Sequence, residues 1–576
     1  MIKSFLLVIL AMLCVMVAFA QYPSRYFIQF TDKNSNGYSI TNPSAFLSAR
    51  AIARRSKQNI GYDLNDLPVT QNYVDSLAAK GAIILNKTKW LNGVTIETTD
   101  PSVLNAIHAL PFVINTNIPV GRVAKPAHSK DSIPANFLQR EEILNTPANN
   151  IPQRMESQQR INYGYGFNQI HMINGDFLHA NGFMGEGILI AVLDAGFYHA
   201  DTMQGFDSLR NNNLIIGTKN FVQTISNNVY TDHYHGTMVL SLMGGNEPGM
   251  LVGTAPHASY FLIITEDADH ENIIEEYNWA SGAEFADSLG ADIITTSLGY
   301  TTFDHADQDH TYLDMDGKTT PCAKAAKIAA TKGILVCAAA GNDGNNSSWN
   351  HIGTPADADS IITVGAVDKA SVYAAFSSVG PSADGRIKPD VATQGQGTTV
   401  MDPLGWGKNG LITNGNGTSF ATPILAGAAA CLWQANPSKT NMEIRQAIIA
   451  SASQYGMPDA KLGYGIPNFA NAMYLLNHSD INAENEDITL FPNPFERTIF
   501  FKFNATTDQN ITIQLMDATG KVLLRETRAV IGGKTEMISV PALNNNVMES
   551  PVLQNGIYIL QVQTNTHLFT KKIVKI

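Results

Sequence analysis

Apolar residues follow different periods along this chain, and the changes divide it into three regions. From about residue 22 to 122, short alternating runs and amphipathic stretches predict a small unit of mixed strands and helices. In 166–477, continuous apolar runs such as 188–193 alternate with helical patterns, which predicts an α/β domain built on a mostly parallel sheet flanked by helices. In 488–576 the alternation has period two, which predicts a small β-sandwich.

The elements predicted in each region are as follows. In the first region, strands are predicted at 26–30, 82–85, 94–98 and 112–117, and helices at 46–58, 73–80 and 103–110. In the second, further strands are predicted at 260–264, 293–297, 335–339 and 361–364. In the third, strands are predicted at 511–516, 522–525 and 557–562, with turns at 519–520 and 555–556.

The remaining segments are predicted to be a signal peptide and linkers between the domains. Residues 1–20 combine Lys3, a long apolar run and a small-residue end, which is the pattern of a cleavable signal peptide. No later apolar run is long enough to cross a membrane, so we expect no transmembrane segment after signal removal. Residues 124–165 and 478–487 are polar and aperiodic, which indicates linkers. The predicted domains are therefore 1–20, 21–123, 124–165, 166–477, 478–487 and 488–576.

Charge and cysteine content exclude two further classes. The formal net charge is −12, which argues against a nucleic-acid partner. Loss of the signal peptide removes Cys14 and leaves Cys322, Cys337 and Cys431, so the chain is not a disulfide scaffold. A bridge between Cys322 and Cys337 stays open, and one thiol must remain unpaired.

The stretch 414–434, NGNGTSFATPILAGAAACLWQ, places one serine at the start of a small-sided apolar helix. A serine hydroxyl is a weak nucleophile until a base takes its proton and a third group holds that base. Two side chains at predicted element ends suit these roles, because Asp194 ends the strand at 188–193 and His235 opens a helical run. Taken alone, Ser419 could equally be the N-cap of a buried helix.

Asp194, His235 and Ser419 occur in the chain order of subtilisin-type proteases. Five blocks carry the resemblance: AVLDAGF at 191–197, HGTMV at 235–239, AAAGNDG at 338–344, GRIKPDV at 385–391 and GTSFATP at 417–423. Over roughly 166–476 the chain therefore resembles the subtilase family of serine peptidases. Five motifs in the correct order are far more specific than any one of them.

The resemblance implies a role for each matching residue. Ser419 would be the nucleophile, His235 the general base and then acid, and Asp194 the group that fixes the imidazole tautomer. Asn342 would donate to the oxyanion together with the Ser419 backbone N–H. The substrate would pair with one strand and place a bulky apolar side chain in a pocket; the implied residues are Ser297, Leu298, Gly299, Ala339, Ala340 and Gly341.

Each of these residues has an ordinary structural interpretation as well. Most histidines are surface or core residues, but His235 alone among the fourteen lies in the HGT block. Asn342 precedes Asp343 and Gly344, so it could belong to a simple turn, and Asp194 could be a cap. The position of Asn342 directly after an apolar strand favours the oxyanion role.

No cofactor is expected for the chemistry, and structural calcium stays open. A loop rich in carboxylates could bind calcium or simply be solvated, and it lacks the EF-hand register; its residues are Asp304, Asp307, Asp309, Asp314 and Asp316. The family resemblance implies calcium in many members. No His-Glu-x-x-His pattern occurs, so a zinc hydrolase has no support.

The two terminal regions have their own resemblances. The first resembles a subtilase prosegment in size and strand-helix mix, with cleavage expected between Arg122 and Gly166. The last resembles the C-terminal sorting domain of the type IX secretion system of Bacteroidetes, on the blocks LFPNP at 490–494, DATGK at 517–521, NGIYIL at 555–560 and KKIVKI at 571–576. An adhesive or carbohydrate-binding sandwich is the alternative, although no aromatic platform is evident. Export machinery is thus an expected partner.

These observations predict a secreted subtilisin-like serine endopeptidase that acts on polypeptides and is made as a precursor. The alternative from another class is a cell-surface binding protein on an inactive subtilase scaffold. The intact Asp194, His235, Asn342 and Ser419 argue against that alternative.

Overall fold

The structure is a computed structural model that describes ten ranges of the chain. These are 24–114, 118–122, 161–405, 411–477, 488–491, 498–504, 507–532, 535–541, 553–565 and 567–575. The predicted signal peptide, most of the first predicted linker and all of the second lie outside the described residues. The chain divides between Phe469 and Ala470 into two compact units.

The N-terminal region forms a four-stranded antiparallel sheet in the order β2-β3-β1-β4, with three helices. The strands are β1 Ser24–Gln29, β2 Ile83–Thr88, β3 Gly93–Thr98 and β4 Ile118–Arg122, and the helices are α1 Ala49–Lys57, α2 Gln71–Ala79 and α3 Pro101–His108. This agrees with the predicted small α/β unit.

The last strand of this region differs from its predicted position. The prediction placed it at 112–117, but residues 112–114 form a turn with an isolated bridge, 115–117 lie outside the described ranges, and the strand is β4. Pro119 and Gly121 weaken the apolar signal within β4. Its position is instead set by pairing with β1, where the register shifts between Arg25 and Tyr26.

A seven-stranded parallel sheet forms the centre of the next region, in the order β13-β12-β11-β10-β5-β9-β6. Its strands are β5 Leu189–Asp194, β6 Ile215–Asn220, β9 Ser259–Ile264, β10 Ile293–Thr296, β11 Leu335–Ala339, β12 Ile362–Val367 and β13 Val391–Gln394. Every residue of β5, β10 and β11 is buried, as expected for strands covered on both faces. Four short strands pair in two hairpins beside the sheet: β7 Asn246–Glu247, β8 Leu251–Val252, β14 Thr398–Met401 and β15 Ile412–Gly415.

Helices cover this sheet. They are α4 Phe167–His171, α5 Gly175–Ala180, α6 Asp207–Asn211, α7 His235–Gly244, α8 Ile274–Leu289, α9 Pro321–Thr331, α10 Thr418–Ala435 and α11 Asn441–Ala450. A further helix, α12 Phe469–Asn477, begins at the boundary between the two units. α10 is buried from Thr418 to Trp433, and its small side chains allow close packing. At Gly427 an added Cβ would lie 2.0 Å from the Thr254 hydroxyl, so only glycine fits there.

The N-terminal sheet packs on α8. Phe27 stacks on Tyr277 with ring centroids 4.3 Å apart, and Val120 completes that apolar cluster. Trp90, from the β2–β3 turn, is buried in the main core beside Ala280 and Ala283. The N-terminal region and the parallel-sheet region thus share one hydrophobic core.

The second compact unit contains two antiparallel sheets, β16-β17-β20 and β19-β18-β21-β22. The strands are β16 Ile488–Phe491, β17 Thr498–Asn504, β18 Gln509–Asp517, β19 Val522–Val530, β20 Thr535–Pro541, β21 Gly556–Gln563 and β22 Leu568–Lys575. Phe501 and Phe503 of one sheet share a core with Ile513 and Leu515 of the other. The two sheets therefore form a sandwich, as the period-two pattern predicts.

Cys322, Cys337 and Cys431 are all buried free thiols, so the pairing of Cys322 with Cys337 left open by the sequence does not form. Across the part of the chain that the structure describes, no helix combines the length and apolarity needed to cross a bilayer.

Candidate active site

The predicted catalytic side chains lie at the ends of neighbouring elements. Asp194 is the last residue of β5, His235 is the first of α7, and Ser419 is the second of α10. Asn342 follows β11 by three residues. Since β5, β10 and β11 are adjacent and parallel, their carboxyl ends lie at one edge of the sheet.

Asp194 and His235 form a hydrogen-bonded pair. The imidazole Nδ1 lies 2.9 Å from the Asp194 Oδ1, and the Asp194 side chain is fully buried. The backbone N–H of Ala195 also donates to that oxygen, at 2.8 Å. An ionised carboxylate on Nδ1 selects the tautomer in which Nδ1 carries the proton, which leaves Nε2 as a proton acceptor.

The electrostatic environment of His235 favours its protonated form. Burial alone would lower the pKa of His235, but the charge of Asp194 and its hydrogen bond outweigh burial and raise that pKa. A base with a raised pKa binds the nucleophile's proton more strongly. The pair is therefore arranged to accept a proton and to stabilise the resulting cation.

Ser419 is held at the end of β10. Its hydroxyl donates to the Ser297 carbonyl oxygen at 3.3 Å, and the Ser297 hydroxyl donates back to the Ser419 carbonyl oxygen at 2.8 Å. Among the described residues, no hydrogen bond joins the Ser419 hydroxyl to His235. The ring centroid of the next residue, Phe420, lies 6.0 Å from the imidazole centroid, so the start of α10 lies near His235.

Asn342 is oriented by the residue before the serine. Its Oδ1 accepts from the Thr418 backbone N–H at 2.8 Å and from the Thr418 hydroxyl at 3.0 Å. With Oδ1 committed in this way, the Nδ2 amide is the group left to donate. An added Cβ on Gly417 would lie 3.6 Å from that Nδ2, which places the amide beside the nucleophile turn.

The residues predicted to bind substrate line the same edge. Ser297 and Leu298 are buried directly after β10, and Gly299 is exposed. Ala339 ends β11, Ala340 is buried with Ile352 and Ala356, and Gly341 has a positive φ of 108°. An added Cβ on Gly341 would approach the Ser378 hydroxyl at 2.7 Å, so this wall requires glycine.

The carboxylates of the predicted calcium loop are not gathered into one cluster. Asp309 accepts from the Phe303 N–H, Asp314 from the Thr311 N–H, and Asp316 from the Lys318 N–H. These bonds are local turn and cap interactions, so each of the three carboxylates has a structural role that needs no metal.

The structure instead gathers three carboxylates that the sequence analysis missed. Ligand oxygens of Glu266, Glu271 and Glu275 lie within 4.8 Å of one another. Glu275 already accepts from the backbone of Asp267 and Asn272, and Glu266 accepts from the Tyr300 hydroxyl. We assign no metal to this cluster.

Two residues with supporting contacts were also missed. Thr418 lies inside the GTS block but had no predicted role, although it holds the Asn342 side chain. His233 precedes the HGT block and contacts the backbone of His235, at 3.3 Å. Adjacency to a motif was the available signal in both cases.

Three family profiles match separate parts of the chain. They are the subtilase family over residues 185–465, a peptidase S8 propeptide domain of Bacteroidota over 25–133, and a secretion system C-terminal sorting domain over 489–576. The subtilase and sorting-domain matches fall within the second and third predicted regions, and the propeptide match extends from the first region into the predicted linker, to residue 133.

Individual relatives agree with the first profile. Subtilisin NAT of Bacillus subtilis subsp. natto is 31% identical over 304 residues, covering 52% of this chain and 68% of that protein. A subtilisin of Bacillus pumilus is 31% identical over 295 residues, covering 51% of this chain and 92% of that protein. Among solved structures, MycP1 from the ESX-1 type VII secretion system covers 55% of this chain and 88% of its own, at 21% identity and a TM-score of 0.42. That structural similarity is too low to carry an argument.

Proposed function

This chain belongs to the subtilase family of serine peptidases, and on that premise we propose that it is an endopeptidase that cleaves extended polypeptides through an acyl-enzyme on Ser419. The observation that carries the proposal is the 2.9 Å hydrogen bond between the His235 Nδ1 and the Asp194 Oδ1, together with the 6.0 Å separation of the His235 ring from that of Phe420, the residue after Ser419.

The first step is attack by the Ser419 oxygen on the substrate carbonyl carbon. The hydroxyl turns from the Ser297 carbonyl towards the Nε2 of His235, which takes the proton as the new C–O bond forms. Asp194 stabilises the imidazolium through Nδ1. His235 then gives the proton to the amine as the C–N bond breaks, which leaves the acyl-enzyme. In the second half His235 takes a proton from an attacking water and returns it to the Ser419 oxygen as the ester C–O bond breaks, which releases the carboxylic acid.

The tetrahedral oxyanion is stabilised by two donors. One is the Asn342 amide Nδ2, and the other is the backbone N–H of Ser419, which lies in the first turn of α10 and therefore lacks an acceptor within the helix. Thr418 keeps the Asn342 amide in its donating orientation. Loss of one such donor costs about 10²–10³ in kcat.

The substrate backbone pairs with the segment Ser297, Leu298 and Gly299 after β10. Main-chain pairing gives affinity with little sequence preference. The side chain before the scissile bond enters the pocket between this segment and 339–341, where the small residues Ala339, Ala340 and Gly341 leave room for a bulky apolar group.

The comparisons confirm the predicted family, propeptide and sorting domain, so the protein is a subtilisin-like serine protease that is exported to the surface or the medium. We propose the domain boundaries 1–20, 21–123, 124–165, 166–477, 478–487 and 488–576. The propeptide is removed by a cut between Arg122 and Gly166, and residues 488–576 engage the secretion machinery.

The test is labelling of the exported, processed protein with a tagged fluorophosphonate, followed by mass mapping of the modified residue. We expect label on Ser419 and none on the Ser419→Ala variant, which should also remain unprocessed if maturation is autocatalytic. Ser438→Ala, which changes an exposed serine between α10 and α11, is the matched control and should label normally. Processed protein that takes no label would instead support the inactive binding protein.

A further inference from the structure

A second histidine, His233, precedes His235 by two residues and contacts the loop that follows Asp194. Its backbone carbonyl accepts from the Tyr198 N–H at 3.2 Å, which ties it to the loop that follows Asp194. An added Cβ on Gly196, in that same loop, would lie 2.3 Å from the His233 nitrogen. The Asp194 loop and the His233 backbone are therefore in direct contact.

The ring of His233 is bonded to the backbone of the base. The His235 N–H donates to the His233 Nδ1 at 3.3 Å, and the two ring centroids are 6.5 Å apart. His235 is the first residue of α7, so its N–H has no acceptor within the helix. A side chain that accepts from the N–H two residues later reproduces the geometry of an Asx-turn, here with an imidazole nitrogen as acceptor.

The bond requires a neutral His233, because a protonated imidazole has no acceptor nitrogen. Burial and the neighbouring His235 lower the pKa of His233 to about 4, against the opposing charges of Asp194 and Asp269. His233 thus keeps an acceptor nitrogen wherever His235 can act as a base.

The Asp194 carboxylate is oriented through one of its two oxygens. Both donors found for its carboxylate, the Ala195 N–H and the His235 Nδ1, reach Oδ1. The buried Oδ2 receives no hydrogen bond from the residues that the structure describes. The carboxylate is therefore held by one oxygen, and the orientation of His235 depends more on its own backbone.

We infer that His233 is a positioning residue that fixes His235 against Asp194 by accepting the His235 backbone N–H while tying α7 to the Asp194 loop. The inference rests on the proposed function, since it assigns His235 as the base. His233 acts through His235 and does not itself move a proton.

The experiment compares four variants of the mature enzyme released from the full-length chain. In the first pair, His233→Asn keeps a side-chain acceptor for the His235 N–H, whereas His233→Leu removes the acceptor with a side chain of similar size. In the second pair, His233→Ser and His233→Ala differ by one hydroxyl, which can accept the same N–H. The measurements are kcat, KM and the pH profile of kcat/KM, with active sites counted by fluorophosphonate titration and folding checked by thermal denaturation.

Loss of the acceptor should lower kcat roughly five- to tenfold, the scale of one hydrogen bond, with KM within about twofold of wild type. Asn and Ser should recover most of the loss. Because Asp194 raises the pKa of His235, the acid limb of the profile should move to lower pH in the Leu and Ala variants. A merely structural role would not move that limb.

The inference is overturned if Asn and Ser are as impaired as Leu and Ala, or if Leu equals wild type per titrated site. It is also overturned if Leu and Ala lose folded protein while the recovered enzyme keeps wild-type kcat and pH profile. Failure of the proposed function is distinct, because wild-type enzyme would then take no label at Ser419 and His235→Ala would have no effect.

Discussion

The two ends of α8 bury carboxylates in opposite ways. Near its C-terminal end, Glu284 and Asp287 face the propeptide, whose cations and backbone N–H groups surround them. Near its N-terminal end, Glu275 lies close to Glu266 and Glu271. The first group accepts from cations and N–H groups of the propeptide, whereas Glu266 and Glu275 of the second accept from Tyr300, Asp267 and Asn272.

At the propeptide end, one carboxylate holds three cations. Asp287 is fully buried and accepts from Arg54 at 2.5 Å, from Arg55 at 2.8 Å and from Lys89 at 3.2 Å. Burial alone would raise the pKa of Asp287, but Lys89, Arg54 and Arg55 reverse that effect and lower it to about 2. The ionised form is thus strongly favoured while the propeptide is docked.

At the other end, burial and like charges act together. Burial raises the pKa of Glu266 to about 8, reinforced by Asp194 and Asp267. Burial raises the pKa of Glu271 to about 9, reinforced by Glu266 and Asp304. At Glu266 a hydrogen bond from the Tyr300 hydroxyl opposes this increase in pKa. The comparison teaches that buried acids around α8 are tolerated in two ways: Asp287 is paired with cations, whereas burial and neighbouring carboxylates favour the protonated forms of Glu266 and Glu271. Glu284, near Asp287, accepts from propeptide donors, but burial raises its pKa.

The largest expected effect follows from removal of Asp287. In the uncut Ser419→Ala precursor, Asp287→Ala leaves Arg54, Arg55 and Lys89 buried without this partner, which should cost about 3–5 kcal/mol of unfolding free energy. Amide hydrogen exchange in α1 and in the C-terminal turns of α8 should accelerate together.

The matched control is Asp207→Ala. Asp207 pairs with Arg210 on the surface and is 57% exposed, so its removal should cost less than about 1 kcal/mol. Equal effects of the two substitutions would show that the buried network contributes no more than a surface pair.

A smaller effect is expected from acid. Because Lys89, Arg54 and Arg55 hold the pKa of Asp287 below its ordinary value, its contribution to the unfolding free energy is fully present above about pH 4 and is lost as pH falls towards 2, by roughly 2 kcal/mol. Glu284 cannot cause this loss of stability in acid, because burial raises its pKa. A group with a raised pKa stabilises the fold at low pH, and that stabilisation is lost as the pH rises. Exchange protection of α1 in the Ser419→Ala precursor should therefore fall between pH 4 and 2, and Asp287→Asn should remove that pH dependence. An unchanged acid response in Asp287→Asn would assign it to other groups.

Much of the fold followed from local patterns. Continuous apolar runs predicted β9, β10 and β11, and the small-sided stretch after Ser419 predicted α10, because burial on both faces leaves a compositional trace. The ordered motifs then predicted the residues of the site, and the structure brings Asp194 and His235 into contact.

The rest depended on contacts between distant residues. Asp287 is paired with Lys89 and Arg54 about two hundred positions away, |i−j| = 198 and 233, and no local pattern indicates such pairing. The Ser419 hydroxyl rests on Ser297 through the packing of α10 against β10, at |i−j| = 122. The position of β4 likewise depended on its pairing with β1.

The smallest expected effect concerns the acidic end of α8, and its pH dependence has the opposite sign. Since burial and Glu266 raise the pKa of Glu271, its contribution to stability is present below about pH 4.5 and is lost as pH rises through about 9. Glu271→Gln removes the group that must ionise, so the unfolding free energy of the variant should increase relative to that of the wild type as the pH rises. The gain should reach about 1 kcal/mol by pH 9, because a half-buried group is partly screened by solvent. Exchange of amides near Glu275 in the Ser419→Ala precursor measures it, and the exposed Asp201→Asn is the control. A gain that falls as pH rises would mean that Glu271 is ionised and paired in the folded protein, and the two ends of α8 would then be compensated in the same way.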